Sequence, residues 1–298
     1  MNRTVRMAAL LAVGISSGLF AQAATVTDLL NKKNLKKAEQ KIDQKANQAA
    51  ATAKTAAAGL LKTDAGIPLI GDMSDADEQA LGRETAGRML SAYPLLENDS
   101  LQRYVNLVGT WVARQSERVG LQWTFGVIES DDINAFAMPG GYIVLTSGLY
   151  KTLTNEAELG GVLGHEIAHV NLRHHVHLMQ KQLLIAKGSN FLTGKTKADA
   201  VKELVGTGAE ITARSLDKEA EYESDRTGIE YAARAGYDPF AYLEVLGRMG
   251  ADSSPDRLAL LFKTHPHPRE RLDALDKAIG TKWSGVKGVV PARWMGLE

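Results

Sequence analysis

The stretch GGVLGHEIAHVNLRHHVH, Gly160 to His177, holds five of the chain's seven histidines. His165 and His169 stand four apart, so a helix projects both imidazoles from one face, where they can share a cation. Glu166 is turned from them by about 100° of helical rotation and stands beside a metal rather than on it. Two imidazoles that hold zinc, with a free carboxylate to take a proton from water, are the parts of a hydrolase. The competing reading is a polar helix end with a solvated glutamate. Small and apolar neighbours such as Val162, Gly164, Ile167 and Ala168 argue for a buried helix instead, and a buried His-Glu-His group needs partners. His174, His175 and His177 fall near the expected helix end, where cationic residues suit the dipole, and are assigned no chemistry.

A catalytic zinc has three protein ligands and one open position. The third must come from elsewhere, and LDKEAEYESDRTGIEY, with Glu219, Glu221, Glu223 and Asp225, is the best source. Glu221 and Asp225 share a helical face. One carboxylate can bind zinc while the other accepts the N–H of a ligating imidazole. A solvated acidic helix face is the plain alternative.

The elements that must position these groups are mostly helical. Asn155 with Glu158 resembles a capping box that starts the histidine helix. Ser74 precedes an acidic helical start, and Leu101, Tyr104, Val105, Val108, Trp111 and Val112 mark a second helix. LQWTFGVIES alternates like a strand, and INAFAMPGGYIVLTSGL reads as two short strands around Pro139-Gly140-Gly141. Residues 25–74 form an Ala, Lys and Gln-rich arm that ends in the boundary GIPLIGDMSDADE. Residues 1–24 read as a signal peptide: Arg3 and Arg6, an apolar run too short to span a membrane comfortably, then Ala21-Gln22-Ala23. That leaves residues 75–298 as the domain that carries the metal constellation, expected to be exported to the periplasm with no transmembrane helix after cleavage. With 35 basic and 35 acidic residues the chain has no net charge, which argues against a nucleic-acid partner. It has no cysteine, so disulfides and thiolate zinc sites are excluded.

GHEIAH, the Glu221/Asp225 pair, the upstream NAFAMPGGYIVLTSGL and the downstream THPHPRER together resemble the HtpX-like and CAAX prenyl protease type of gluzincin metallopeptidase, family M forty-eight, in its soluble periplasmic branch. The resemblance covers Asp75 to Ile279. It implies an α+β, mainly helical zincin-type fold with an active-site helix and a small β-sheet. It implies one Zn2+ per chain on His165, His169 and Glu221, Glu166 as general base, and Asp225 behind a ligating histidine. It also implies that Asn134, Ala135, Phe136, Ala137, Met138 and Pro139 edge the substrate cleft. The Ser-Arg pair that the family often shows before its third ligand is replaced by Asp217-Lys218, and the membrane helices of its integral members are absent.

The expected function is a zinc endopeptidase that acts on unfolded or misassembled envelope proteins, outer-membrane proteins among them, with peripheral attachment to envelope assembly machinery. The alternative is an envelope chaperone or assembly adaptor that keeps zinc for stability. His265 and Arg271 are candidate oxyanion donors. His265, before Pro266 on a stiffened loop, has a second reading as a fourth ligand that keeps the protease latent, and that reading is preferred.

Overall fold

Ser74 opens the first helix, as its place in the sequence predicts. In the computed structural model its Oγ accepts from the Asp77 N–H, and Asp75, Asp77 and Glu78 put negative charge at the positive end of α1 (Asp75–Ala92). The structure describes residues 72–182, 216–252 and 255–280, with 282, 283, 285, 286, 288, 289 and 294–297. The expected signal peptide and nearly all of the arm lie outside the described residues. Among those described, no helix is long and apolar enough to cross a membrane.

Asn98 caps α2 (Asp99–Ala113), whose Leu101, Val105, Val108 and Val112 form a buried stripe. Trp111 departs from the expected stripe: it is 46% exposed, and its Nε1–H donates to the Ala235 carbonyl. The sheet has three strands, β1 (Thr124–Ile128), β2 (Ala135–Met138) and β3 (Tyr142–Thr146), in the order β1-β3-β2. β3 runs parallel to β1 and antiparallel to β2, which follows from the short Pro139–Gly141 connection. Alternate side chains face opposite ways. Phe125, Val127, Ala135, Ala137, Ile143 and Leu145 join the main core, while Ile128, Phe136, Met138 and Val144 pack with Ala86 and Met89 of α1. Both faces are thus covered. The β1 edge is also covered, by Leu95 bridging Ile128. The outer edge of β2 makes no backbone pairing among the described residues.

After α3 (Ser147–Tyr150), Asn155 starts α4 (Glu156–Asn171). Its Oδ1 accepts from the Glu158 N–H, and the Glu158 carboxylate returns to the Thr154 N–H, one residue earlier than a standard capping box. The chain then turns through Arg173, at φ 56°, into a helix that runs over 174–182. Asp217 caps α5 (Lys218–Arg234) by accepting from the Ala220 N–H. The departure at Asp217 therefore keeps a capping function. Helices α6 (Ala241–Ala251), α7 (Pro255–Thr264) and α8 (Pro268–Ile279) complete the order. The fold is mainly helical with a small sheet, as expected.

Two features set the site's frame. Helices α4 and α5 touch backbone to backbone where Gly164 meets Gly228: a Cβ on Gly164 would lie 2.5 Å from the Gly228 oxygen. Glu78, fully buried on α1, ties three segments together. It accepts from Arg118 Nη2 at 2.8 Å, Arg173 Nε at 3.0 Å and the Gly140 N–H at 3.0 Å. It thus joins the turn after β2 to the end of α4. Glu78→Ala leaves a largely buried Arg118 with the exposed Asp75 as its ion-pair partner and the Val170 carbonyl as a further acceptor. We expect a loss of about 3–5 kcal/mol, the usual result of breaking a buried pair, measured by urea denaturation against Glu78→Gln, which can still accept from Gly140.

Candidate metal centre

α4 delivers His165 and His169 to one face, and both are essentially buried. Their Nε2 atoms lie 3.0 Å apart. α5 crosses at the glycine contact and brings Glu221 against them, with Oε1 3.4 Å from His169 Nε2 and Oε2 3.7 Å from His165 Nε2. His265, just past the end of α7, places Nδ1 2.7 Å from Glu221 Oε2. One donor atom each from His165, His169, Glu221 and His265 lie within 4.8 Å of one another.

The donor set fits a small divalent cation. A tetrahedral ion with bonds of about 2.0–2.1 Å sets its donors about 3.3–3.4 Å apart, within the observed 3.0–3.7 Å. Glu221 Oε1 is moreover buried with no hydrogen-bond partner. A buried carboxylate oxygen left without a donor is costly unless a cation satisfies it. Glu219 and Glu223, the other glutamates of the acidic run, are exposed. Glu221→Ala should therefore abolish stoichiometric metal, read by elemental analysis of purified protein. One metal per chain in that variant would hand the role to Glu219 or Glu223.

Asp225, one turn beyond Glu221, accepts from His165 Nδ1 at 2.9 Å. Arg271 on α8 grips the same carboxylate, Nε to Oδ2 at 3.0 Å and Nη2 to Oδ1 at 2.5 Å. Tyr242 on α6 stacks on the His165 ring and donates to Asp225 Oδ1 at 3.1 Å. Burial alone would raise the Asp225 carboxyl, but the Arg271 guanidinium and His165 outweigh it and hold it below the ordinary carboxylate range. A charged Asp225 is placed to accept the Nδ1 proton of His165, a contact that can set the tautomer of a ligating imidazole.

Arg271, expected as a candidate oxyanion donor, lines the same cavity as Glu166 and also contacts the rear of the donor set. Two of its N–H groups point at Asp225, and Nη2 lies 3.2 Å from His165 Nδ1, so it serves the rear of the ligand.

Glu166 is 3% exposed and, as its helical phase requires, lies outside the four-donor cluster. It lines a cavity of about 30 Å3 with His165, His265, Tyr242 and Arg271, closed by Ala135, Val162, Leu246 and Met249. Burial pushes the Glu166 carboxyl up, against the pull of His165 and His265. Burial also drives the His169 imidazole well down, which favours the neutral, ligating form. For His265 burial acts downward, but the Glu221 carboxylate outweighs it and raises the imidazole.

Asn134 is fully buried, and neither polar atom of its side chain has a hydrogen-bond partner. Ala135 reaches the cavity beside Glu166, whereas Phe136 and Met138 face the second core, Ala137 the main core, and Pro139 opens the turn.

Sequence reasoning passed over Tyr242, Ser224 and His174. The last was read as a helix-end cation; it is buried, with its ring 5.2 Å from that of His169.

A family model for Peptidase family M48 matches residues 99–279. The chain belongs to peptidase family M48. The match takes in the sheet, the histidine helix, the acidic helix and the His265 loop, so every member of the four-donor set falls inside it. Among M48 relatives, the chain is 34% identical over 239 residues to the beta-barrel assembly-enhancing protease of Yersinia pestis, covering 74% of this chain and 49% of that protein. It is 32% identical over 229 residues to the protease of that name in Escherichia coli K12, covering 72% and 46%. The mitochondrial metalloendopeptidase OMA1 of Arabidopsis thaliana is 32% identical over 170 residues, covering 56% and 33%. The chain spans about half the length of the first two relatives.

Proposed function

We propose that this M48 protein is a zinc-dependent endopeptidase of the bacterial envelope, exported to the periplasm, that hydrolyses extended segments of unfolded or misassembled proteins. The observation that carries the reading is Glu166, buried beside the His165–His169–Glu221 donor set and outside it. A site built only for stability has no use for such a carboxylate. His165, His169 and Glu221 would hold the cation, which when bound supplies an acidified water and polarises a carbonyl. Glu166 would act as general base toward the attacking water and as general acid toward the leaving amine. Asp225, held by Arg271, keeps the proton of His165 on Nδ1 and Nε2 free to ligate.

Substrate backbone would add by strand pairing to the outer edge of β2, between Ala135 and Met138, which makes no backbone pairing among the described residues. The names of the beta-barrel assembly-enhancing relatives support outer-membrane proteins as substrates and peripheral contact with their assembly machinery. Degradation of casein by purified protein, abolished by a chelator and restored by zinc, tests the reading. Degradation unaffected by full metal removal would overturn it.

We further propose that His265 serves as an inhibitory fourth ligand. Its Nδ1 sits 2.7 Å from Glu221 Oε2, and its ring is 5.5 Å from that of His165, within the donor cluster. His265→Ala is then expected to raise casein hydrolysis at equal metal content. A fall of about 10²-fold or more would make it an oxyanion donor instead.

A further inference from the structure

His169 directs only one ring nitrogen at the donor set. Nε2 faces His165 Nε2. Nδ1 points the other way, 3.0 Å from His174 Nδ1 and 3.1 Å from Ser224 Oγ. Ser224 Oγ is also 3.1 Å from His174 Nδ1, so the three atoms close a triangle. The far nitrogen of His174, Nε2, lies 3.4 Å from Glu223 Oε2. Ser224 is fully buried and His174 nearly so, while the Glu223 side chain is 52% exposed.

The ligand role fixes the direction of these hydrogen bonds. An imidazole that gives its Nε2 lone pair to a cation keeps its proton on Nδ1. His169 Nδ1–H then needs an acceptor. Either His174 Nδ1 accepts directly, or Ser224 Oγ accepts and its own hydroxyl donates a hydrogen bond to His174 Nδ1. In both cases His174 Nδ1 is the unprotonated end of the triangle. The His174 proton must sit on Nε2, and it faces the Glu223 carboxylate.

We propose that His174, with Ser224 and Glu223, is a positioning residue that orients His169 as a metal ligand, the counterpart of Asp225 behind His165. This rests on the metal reading above. Asp225 and Ser224 are neighbours on α5, so one helix turn that supplies the ligand Glu221 also supports both imidazoles. The backbone is shaped to the same end. Arg173, immediately before His174, takes φ 56°, uncommon for a residue with a side chain. That turn brings the 174–182 helix back onto His169.

The test is the zinc dissociation constant of full-length, metal-stripped protein, measured by competition with a chelating indicator. Far-ultraviolet circular dichroism of each variant confirms that it folds. His174→Ala should weaken zinc binding by about 10–100-fold, the usual effect of removing an orienting partner. Ser224→Ala should cost less, because His174 still accepts directly, and the double variant should cost at least as much as His174→Ala. Glu223→Gln should cost least, since water can replace the half-exposed carboxylate. His174→Asn places a carbonyl oxygen where Nδ1 was and should recover most of the loss. In cobalt-loaded protein, the visible spectrum should shift in His174→Ala and return toward wild type in His174→Asn. If His174→Ala fails to fold, Ser224→Ala and His174→Asn carry the comparison. Wild-type zinc affinity in the double variant, or Asn performing no better than Ala, would reduce the triangle to packing and overturn the proposal. Failure of the wild-type protein to bind zinc would sink the metal reading itself, a separate result.

Discussion

Glu166→Gln is expected to lower casein hydrolysis by about 10²–10⁴-fold, the range for a positioned general base, with metal content unchanged. The amide keeps the size of the side chain but is too weakly basic to take a proton at neutral pH. It also removes a buried charge, so stability should not fall: burial already pushes the Glu166 carboxyl up. Activity and metal thus separate, whereas Glu221→Ala should lose both. Hydrolysis that survives Glu166→Gln at full metal occupancy would remove Glu166 from the chemistry and revive the adaptor reading.

That separation follows from helical phase, which is also why the centre was legible before the fold was known. His165, Glu166 and His169 lie on one continuous helix, so spacing alone places two imidazoles together and the carboxylate aside. The caps at Ser74 and Asn155 were legible for a similar reason, being local contacts within three residues. The acidic helix was harder. Four carboxylates at 219, 221, 223 and 225 leave the rotation of α5 open until one buried position is known. The pattern Glu221, Ser224, Asp225, Gly228 recurs at helical spacing, and all four are buried. Gly228, which needs a close neighbour, was the signal that could have set the phase and drawn attention to Ser224. Tyr242 left no comparable mark, and Arg271 was singled out without its partner Asp225. They reach Asp225 from α6 and α8, and contacts between distant segments have no period in sequence. His174 was placed near a helix end and assigned no chemistry, because spacing along one helix does not show where the chain turns next. The turn at Arg173, held by Glu78 and Asp75, sends it inward.

Gly228→Ala is expected to be among the most damaging small substitutions in the domain, although it touches no ligand side chain. A Cβ there would lie 2.5 Å from the His165 nitrogen and 2.7 Å from the Gly164 carbonyl carbon. Both are backbone atoms, so no side chain can rotate away. Ordinary contact is about 3.5–4.0 Å, so α5 must retreat from α4 by about 1 Å. Glu221, Ser224 and Asp225 ride on α5, while His165 and His169 ride on α4. The retreat therefore acts across every metal and orienting contact at once. Misplacement of this size costs about 10²-fold in rate, and overpacking costs about 1–3 kcal/mol in stability. Helix propensity works the other way, since alanine is better than glycine by about 0.8–1.0 kcal/mol. Gly87 on α1 isolates that term, because its Cβ would meet nothing within 4 Å. Gly87→Ala should thus be neutral or stabilising in urea denaturation, with zinc affinity unchanged. Gly228→Ala should lose stability and weaken zinc binding together. Equal behaviour of the two variants would mean that close approach of α4 and α5 does not set the geometry of the centre.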